Sequence, residues 1–173
     1  MTTIDTPRLH LRPWNDTDAP ELYELARDPR IGTLCGWKPY ECIDDAHEAL
    51  STFLAAPDSY AVTLASSGEI VGSIALRIDT DSPEASVADI GYWIGAPYWG
   101  NGYATEAGNA IIDRARELGV QMIVLKYFDG NDASRRVSEK LGFAWQSRDE
   151  DVEYPLIGKR LTVHRTELVL AGH

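Results

Sequence analysis

The sequence predicts an α/β (α+β) fold, in which one domain holds a mixed, mostly antiparallel sheet with a single parallel strand pair, flanked by helices. Three observations support this prediction. The 173 residues contain no low-complexity linker and no internal repeat, which indicates one domain over residues 1–173. Strand-like and helix-like patterns follow one another in the order β-α-α-β-β-β-α-β-α-β-β. A strand at 87–94, a helix at 104–118 and a strand at 121–127 form a unit whose two strands are expected to be parallel neighbours.

The first half of the chain predicts one strand, two helices and a hairpin. Residues 8–12 alternate between apolar and polar side chains, which is typical of a strand. Asp16 or Thr17 can cap a helix that runs to about residue 27, and Pro29 marks its end. The other predicted elements of this half are a loop at 32–40, a helix at about 44–55, and hairpin strands at 60–65 and 69–79.

The second half begins with the strand at 87–94. Apolar residues then recur with a 3.6-residue period over 104–118, which predicts an amphipathic helix with Gly119 as its C-cap. The continuous apolar run 122–125 is typical of a strand buried on both faces. The remaining predicted elements are a helix from 131 or 132 to about 141, strands at 143–147 and 161–170, and between them an acid-rich segment, 148–153, interpreted as a solvated loop.

The charge and composition exclude several classes of partner. A net charge of −11 argues against nucleic acid and anionic membranes, since both require basic patches. An acidic surface favours a cationic acceptor such as an amine or a basic protein tail, although it also serves solubility alone. No apolar run reaches the length of a membrane helix and no signal peptide is evident, so we expect a cytoplasmic protein. Cys35 and Cys42 match no zinc spacing, and no metal site is predicted.

The segment 98–107, between the strand at 87–94 and the helix at 104–118, predicts an anion site. Gly100 and Gly102 allow backbone N–H groups to converge at the start of a helix, where the helix dipole is positive. Asn101-Gly102 is also a strong signal for a tight hairpin. A hairpin needs a second alternating strand, whereas the residues that follow have a helical period. The hairpin is therefore rejected, and a phosphate-bearing ligand is expected here.

Three motifs carry a resemblance to the GCN5-related N-acetyltransferase (GNAT) superfamily, in particular to the branch of bacterial acetylases of ribosomal-protein N-termini. The resemblance covers nearly the whole length, from Thr6 to the last strand. The three motifs, in the order of the chain, are Ile90-Gly91-Tyr92-Trp93-Ile94-Gly95, Tyr98-Trp99-Gly100-Asn101-Gly102-Tyr103-Ala104-Thr105-Glu106-Ala107, and Asn131-Asp132-Ala133-Ser134-Arg135-Arg136-Val137-Ser138-Glu139-Lys140-Leu141-Gly142-Phe143.

The resemblance implies acetyl-coenzyme A (acetyl-CoA) as the donor. Its pyrophosphate is expected on the backbone amides of about 100–105, and its pantetheine arm in a gap where the strand at 87–94 splays away from the strand at 121–127. Trp99 stands where the family usually has Gln or Arg, a departure common in this branch. The cofactor-binding residues implied are Tyr92, Trp93, Ile94, Trp99, Gly100, Asn101, Gly102, Tyr103, Ala104, Thr105, Asn131, Ser134 and Lys140.

The chemistry implied is the attack of a neutral amine on a thioester carbonyl. Asp89 is the candidate base, where many relatives have Glu. The alternative is that it only positions the amine or makes a structural hydrogen bond. A backbone amide near Ile94 is the candidate oxyanion donor. Ser138 occupies the position at which many members have a tyrosine that acts as the acid. Ser134 matches the serine of the ribosomal-protein branch and is preferred as a hydrogen-bond donor to the leaving thiolate.

The acceptor is the least defined part of the prediction. Trp37 and Tyr40 are candidates for lining an acceptor pocket, and ordinary core packing is the alternative. Relatives acetylate protein N-termini, polyamines, amino acids and antibiotics, so the acceptor is predicted to be a primary amine, either a protein N-terminal α-amine or a small molecule. A sensor that binds acetyl-CoA without turnover is a further alternative. The chain is expected to be a monomer or a homodimer.

Overall fold

In the part of the chain that the structure describes, eight strands form one sheet in the order β1-β2-β3-β4-β5-β6-β8-β7. The computed structural model describes residues 2–78 and 87–170. All neighbouring strands are antiparallel except β5 and β6, which are parallel. The strands are β1 (Ile4–Asp5), β2 (Leu9–Pro13), β3 (Ser59–Leu64), β4 (Ile70–Ile78), β5 (Val87–Ile94), β6 (Met122–Phe128), β7 (Ala144–Tyr154) and β8 (Lys159–Val169).

Five α-helices within the described residues cover the sheet. They are α1 (Ala19–Ala26), α2 (Pro29–Cys35), α3 (Ile43–Ser51), α4 (Tyr103–Glu117) and α5 (Asp132–Lys140). The apolar face of α4 packs on the sheet through buried side chains such as Ile111, and Leu141 beyond α5 joins the same core. Helices α1 and α3 form a second cluster on the other face. No helix in the described part of the chain is long and apolar enough to cross a membrane.

The α/β fold with a mixed, mostly antiparallel sheet is confirmed, including the parallel strand pair. Strand β5 has the predicted bounds, and α4 is shifted by one residue at each end. The end of the predicted strand at 69–79 and the ends of the predicted domain lie partly outside the described residues.

Two predictions of local structure were wrong. The predicted loop at 32–40 lies partly in α2, because the Asp28 side chain caps that helix and Pro29 begins it instead of only ending α1. The acid-rich segment 148–153 is not a loop but part of β7, which continues to Tyr154. Strand β7 is at the edge of the sheet, so its charged side chains remain solvated while its backbone pairs with β8. In addition, the helix predicted at 44–55 ends at Ser51, and a 3-10 turn follows.

The parallel pairing of β5 and β6 stops part-way along both strands. It runs from Val87 opposite Met122 to Ile90 opposite Leu125. Beyond this point β5 stays paired with β4, and β6 stays paired with β8. A gap therefore opens between the C-terminal ends of β5 and β6, as the family resemblance implied.

Candidate active site

The loop between β5 and α4 presents backbone donors to solvent. Gly100 and Gly102 both have φ near 80°, a conformation that other residues adopt only with strain. No side chain caps α4. Among the described residues, the N–H groups of 102–105 have no hydrogen-bond acceptor. Four N–H groups without an acceptor among the described residues, at the positive end of a helix of fifteen residues, make this loop a candidate anion site.

Arg8 holds this loop from the outside. The Arg8 guanidinium donates from Nε to Glu106 at 2.7 Å and from Nη1 to the carbonyl of Asn101 at 3.0 Å. Thr6 donates to the same carboxylate at 2.6 Å. Burial opposes ionisation of Glu106, yet the hydrogen bonds from Thr6 and Arg8 lower its pKa. The carboxylate thus remains ionised but is turned away from the anion site, and Arg8 neutralises it.

Arg8→Ala is expected to raise the KM for acetyl-CoA about three- to tenfold with little change in kcat. The variant removes the donor that holds the Asn101 carbonyl and leaves an uncompensated carboxylate in the first turn of α4, and each loss is worth about 1 kcal/mol. Steady-state kinetics check this result. Arg160→Ala, which removes an exposed arginine bound to Asp151, is the matched control. Equal KM values for the two variants would contradict the role given to Arg8.

Trp99 closes the outer end of β5. Its indole Nε1 donates to the carbonyl of Ile94 at 2.7 Å, and the Arg30 guanidinium lies over its ring, 5.7 Å from the centroid. Trp99, where the family usually has Gln or Arg, thus donates a side-chain hydrogen bond to the end of β5. Its ring also contacts Arg30 of α2. Trp99 itself is half-exposed.

The open edge of β5 carries the backbone groups of Tyr92 and Ile94. The N–H of Gly95 donates to Val71 on β4 at 2.8 Å. Because successive residues of a strand point their backbone groups to opposite sides, those of Tyr92 and Ile94 point towards the gap, and those of Trp93 towards β4. The Ile94 carbonyl is bound by Trp99, whereas the Ile94 N–H faces the gap, where the sequence analysis expected an oxyanion donor.

Tyr92 and Ser134 meet across the gap. Their hydroxyl oxygens are 3.0 Å apart and form a hydrogen bond between β5 and α5. Asn131 holds Ser134 in place because its side chain accepts from the Ser134 N–H at 3.1 Å. Burial raises the pKa of Tyr92 to about 12, so its hydroxyl is neutral near pH 7 and available as a donor. Tyr92 was predicted from sequence as a cofactor contact through its backbone alone, and a role for its hydroxyl was not predicted.

Ser138 and Lys140 lie elsewhere on α5. The Ser138 side chain is 1% exposed, and its hydroxyl donates to the carbonyl of Arg135 at 2.9 Å. This is the usual internal hydrogen bond of a helical serine and points away from the gap. Lys140 is exposed in the last turn of the helix, at the opposite end from Asn131. The geometry therefore favours Ser134 over Ser138 as a contact of the thioester.

Asp89 lies on the face of the sheet opposite to Tyr92, because side chains alternate along β5. Its carboxylate is half-exposed, with Arg77 Nη2 at 3.4 Å and Lys126 Nζ at 3.9 Å. Asp89 is one residue before the last paired position of β5, so its side chain is beside the opening of the gap.

Three aromatic side chains pack together on the face of the sheet that carries Asp89. Trp37 packs against Trp93 of β5 with ring centroids 6.4 Å apart, and against Tyr40 at 5.4 Å. Trp37 and Tyr40 also pack on the apolar cluster of α1 and α3. Burial, with smaller effects of Asp45 and Glu48, raises the pKa of Tyr40 to about 12. The two candidates thus combine core packing with a position close to the end of β5.

Tyr154 was not predicted as a site residue. Its ring meets Phe128, at the end of β6, edge to face at 4.7 Å. A β-carbon at Gly36 would lie 2.8 Å from the Tyr154 ring, so the end of α2 packs directly on it. Burial and the charge of Asp89 raise the pKa of Tyr154. No local signal marks Tyr154, because it ends a strand whose second half was predicted to be a loop.

Comparisons with known proteins decide the family. Residues 8–144 match the family model described as the acetyltransferase (GNAT) domain. The chain belongs to this family. The uncharacterized N-acetyltransferase YoaA of Bacillus subtilis (strain 168) is 27% identical over 146 residues, which is 81% of each chain. This GNAT protein is accordingly an acyltransferase.

Solved structures show the same fold. The structure of a putative ribosomal-protein-serine acetyltransferase from Vibrio cholerae matches with a TM-score of 0.80 and 22% identity over 98% of both chains. The microcin C7 self-immunity acetyltransferase MccE, in complex with acetyl-CoA and AMP, matches with a TM-score of 0.82 and 22% identity over 95% of this chain and 94% of that one. At these identities the likeness shows the fold alone.

The GNAT protein has two cysteines, and Cys35 is near enough to Tyr92 to contribute to the raised pKa of that tyrosine. Burial raises the pKa of Cys35 to about 12, so this thiol is neutral and a poor nucleophile near pH 7. Within residues 2–78 and 87–170, no group of three or more His, Cys, Asp or Glu side chains is arranged to hold a metal ion.

Proposed function

We propose that this GNAT protein transfers the acetyl group of acetyl-CoA to a primary amine, with protein N-terminal α-amines as the first acceptors to test. One observation carries the proposal: the uncapped N-terminus of α4 opens onto the gap between β5 and β6. The donors of 102–105 suit the pyrophosphate, and the open edge of β5 suits the amides of the pantetheine arm, which can pair with it like an added strand.

The two faces of the gap suit two different tasks. On one face, Asp89 is placed to accept a proton from the attacking amine. On the other face, the hydroxyls of Tyr92 and Ser134 are placed to donate to the leaving sulfur. The Ile94 N–H, which points into the gap between them, is the proposed donor to the oxyanion. Attack and departure thus occur from opposite faces of the sheet, with the thioester between them.

The acceptor class is supported by the family branch and by one structural neighbour. The Vibrio cholerae neighbour is described as a putative ribosomal-protein-serine acetyltransferase. Peptides that reproduce ribosomal-protein N-termini are therefore the first panel, and polyamines, amino acids and aminoglycosides are the second. A cytoplasmic location fits this proposal because acetyl-CoA and nascent protein N-termini are both found there.

The test measures CoA release and the mass shift of each acceptor after incubation with acetyl-CoA. The proposal predicts a mass gain of one acetyl group on an amine, together with stoichiometric thiol release. Tight binding of acetyl-CoA without release over the whole panel would instead identify a sensor. Failure to bind acetyl-CoA would overturn the proposal.

Tyr92→Phe is expected to lower kcat about tenfold or more without a comparable change in the KM for acetyl-CoA. Even with its pKa raised to about 12 by burial, the phenol of Tyr92 is a stronger acid than a serine hydroxyl and therefore the better proton donor to a thiolate. Ser134→Ala is expected to have a smaller effect in the same direction. Ser138→Ala, on the same helix but pointing to the core, serves as the control. A full-rate Tyr92→Phe protein would contradict this role.

A further inference from the structure

The face of the sheet that carries Asp89 also carries two cations where the gap opens. We propose that these cations, Arg77 and Lys126, bind a carboxylate of the acceptor, so that the acceptor is an amine with an acidic group close to its nitrogen. The inference rests on the proposed function and names the acceptor class for the same site.

The side chain of Arg77, on β4, extends over the neighbouring strand β5, which lines the gap. It stands opposite Asp89 in the β4–β5 register, yet its guanidinium leans onward over Gly91. A β-carbon at Gly91 would collide with Nη2 and lie 3.3 Å from Cζ. The guanidinium therefore occupies space that is open because Gly91 has no side chain. Gly91 is the first residue of β5 beyond the paired segment, so the cation is at the opening of the gap.

Lys126 provides a second cation on β6, on the other side of the gap. It follows Leu125, the last residue of β6 that pairs with β5, and its ammonium reaches the second oxygen of Asp89. On its other side, Lys126 stands directly opposite Arg165 of β8. Like charges in directly opposed positions are destabilising, and Arg165 is bound to Glu167 at 2.8 Å. Asp89 is thus the carboxylate nearest to both Arg77 and Lys126 in the described part of the chain.

The local charge differs from that of the whole protein. Two cations share one carboxylate here, although the chain has a net charge of −11. Within the described residues the Arg77 guanidinium has one hydrogen-bond acceptor, at 3.4 Å, and most of its side chain is exposed. With respect to the described residues, its other donors are available to bind two oxygens of a carboxylate, a geometry that suits guanidinium particularly well.

A zwitterionic acceptor satisfies both features. Its amine can approach Asp89, and its carboxylate can bind Arg77 and Lys126 a few bonds away. Free α-amino acids have this chemistry, as do peptides whose first residue is acidic. The expectation from overall charge, a purely cationic acceptor, is therefore not what the site itself favours, because Arg77 and Lys126 would repel a second positive group.

The experiment compares acceptors that differ only in a carboxylate. One arm pairs free amino acids with their amides, and the other pairs peptides beginning with Asp with the same peptides beginning with Asn. For the wild-type protein we expect kcat/KM to be about tenfold or more higher for the carboxylate member in at least one arm, the size of one charge-assisted hydrogen bond. The arm that responds tells a small metabolite from a protein N-terminus.

Arg77→Gln and Lys126→Gln are expected to reduce this preference to about threefold or less, because the loss falls on the carboxylate member of each pair. The preference is a ratio of two rates, so a change at Asp89 that affects both members equally leaves it unaltered. Gly91→Ala keeps every charge but displaces the guanidinium, and should act in the same direction as Arg77→Gln. Arg160→Gln, at an exposed position bound to Asp151, should leave the preference unchanged.

If amines are acetylated but the protein shows no preference for the carboxylate member of either pair, this inference is wrong and the proposed function stands. The same holds if the preference is unchanged in the Arg77→Gln protein. If neither arm is acetylated while another amine of the wider panel is, this inference fails and the proposed function stands. If no amine of any panel is acetylated, the proposed function fails and this inference fails with it.

Discussion

Asp89→Asn should lower kcat about 100-fold or more and leave the KM for acetyl-CoA within about twofold, since a positioned general base typically contributes about 10²–10⁴ in rate. The amide has nearly the same shape and cannot accept the amine proton. The donor site, on the loop before α4, is built from other residues. Asp149→Asn, on the same face of the sheet but on the edge strand β7, is the matched control and should retain full activity.

The pH profile of the Asp89→Asn protein separates a base from a positioning residue. Without the base, attack depends on amine that is already neutral in solution, and peptide α-amines have pKa values of about 8. The deficit relative to wild type should therefore narrow as pH rises from about 7 to about 9. A deficit that is constant over this range would indicate positioning, and wild-type kcat in the variant would exclude either role.

Gly102→Val should raise the KM for acetyl-CoA at least tenfold. Gly102 has φ near 80°, where a side chain costs about 1–2 kcal/mol, and it stands at the N-cap of α4. A β-carbon there would lie 3.6 Å from Arg8 Nη2, so we expect a branched side chain to displace the loop or the arginine that holds it, and with them the donors of 102–105. Loss of one charge-assisted hydrogen bond to phosphate adds about 1.5–3 kcal/mol, and each 1.4 kcal/mol is tenfold in affinity.

Gly119→Val provides the control for backbone strain. Gly119 has φ near 76°, follows the opposite end of α4, and a β-carbon there would meet no atom within 4 Å. Both variants should lower the free energy of unfolding by similar amounts, whereas only Gly102→Val should weaken acetyl-CoA binding. Similar KM values for the two variants would show that the loop is not the donor site.

The parts of the site that were predictable from sequence are those built from local signals. The alternation of 87–94 and the helical period of 104–118 determine β5 and α4, and the two glycines between them determine the anion site. The start of α5 at Asn131 was visible as a helix cap, and that residue does cap Ser134.

The parts that were missed depend on contacts between residues distant in sequence. Nothing near Arg8 indicates that it binds Glu106 and the carbonyl of Asn101, because the contact arises from the packing of β2 beside α4. The Tyr92 hydroxyl was overlooked because its partner, Ser134, comes from a helix that follows the next strand. Arg77 depends on the absence of a side chain at Gly91 of the neighbouring strand, which only the register reveals.

A crystal structure of this protein with bound CoA tests the central claim most directly, namely that the gap between β5 and β6 holds the thioester. We expect the pyrophosphate on the N–H groups of 102–105, the pantetheine amides paired with the open edge of β5, and the sulfur within hydrogen-bond distance of Tyr92 or Ser134. A pyrophosphate bound away from the start of α4, or a sulfur outside the gap, would contradict the account.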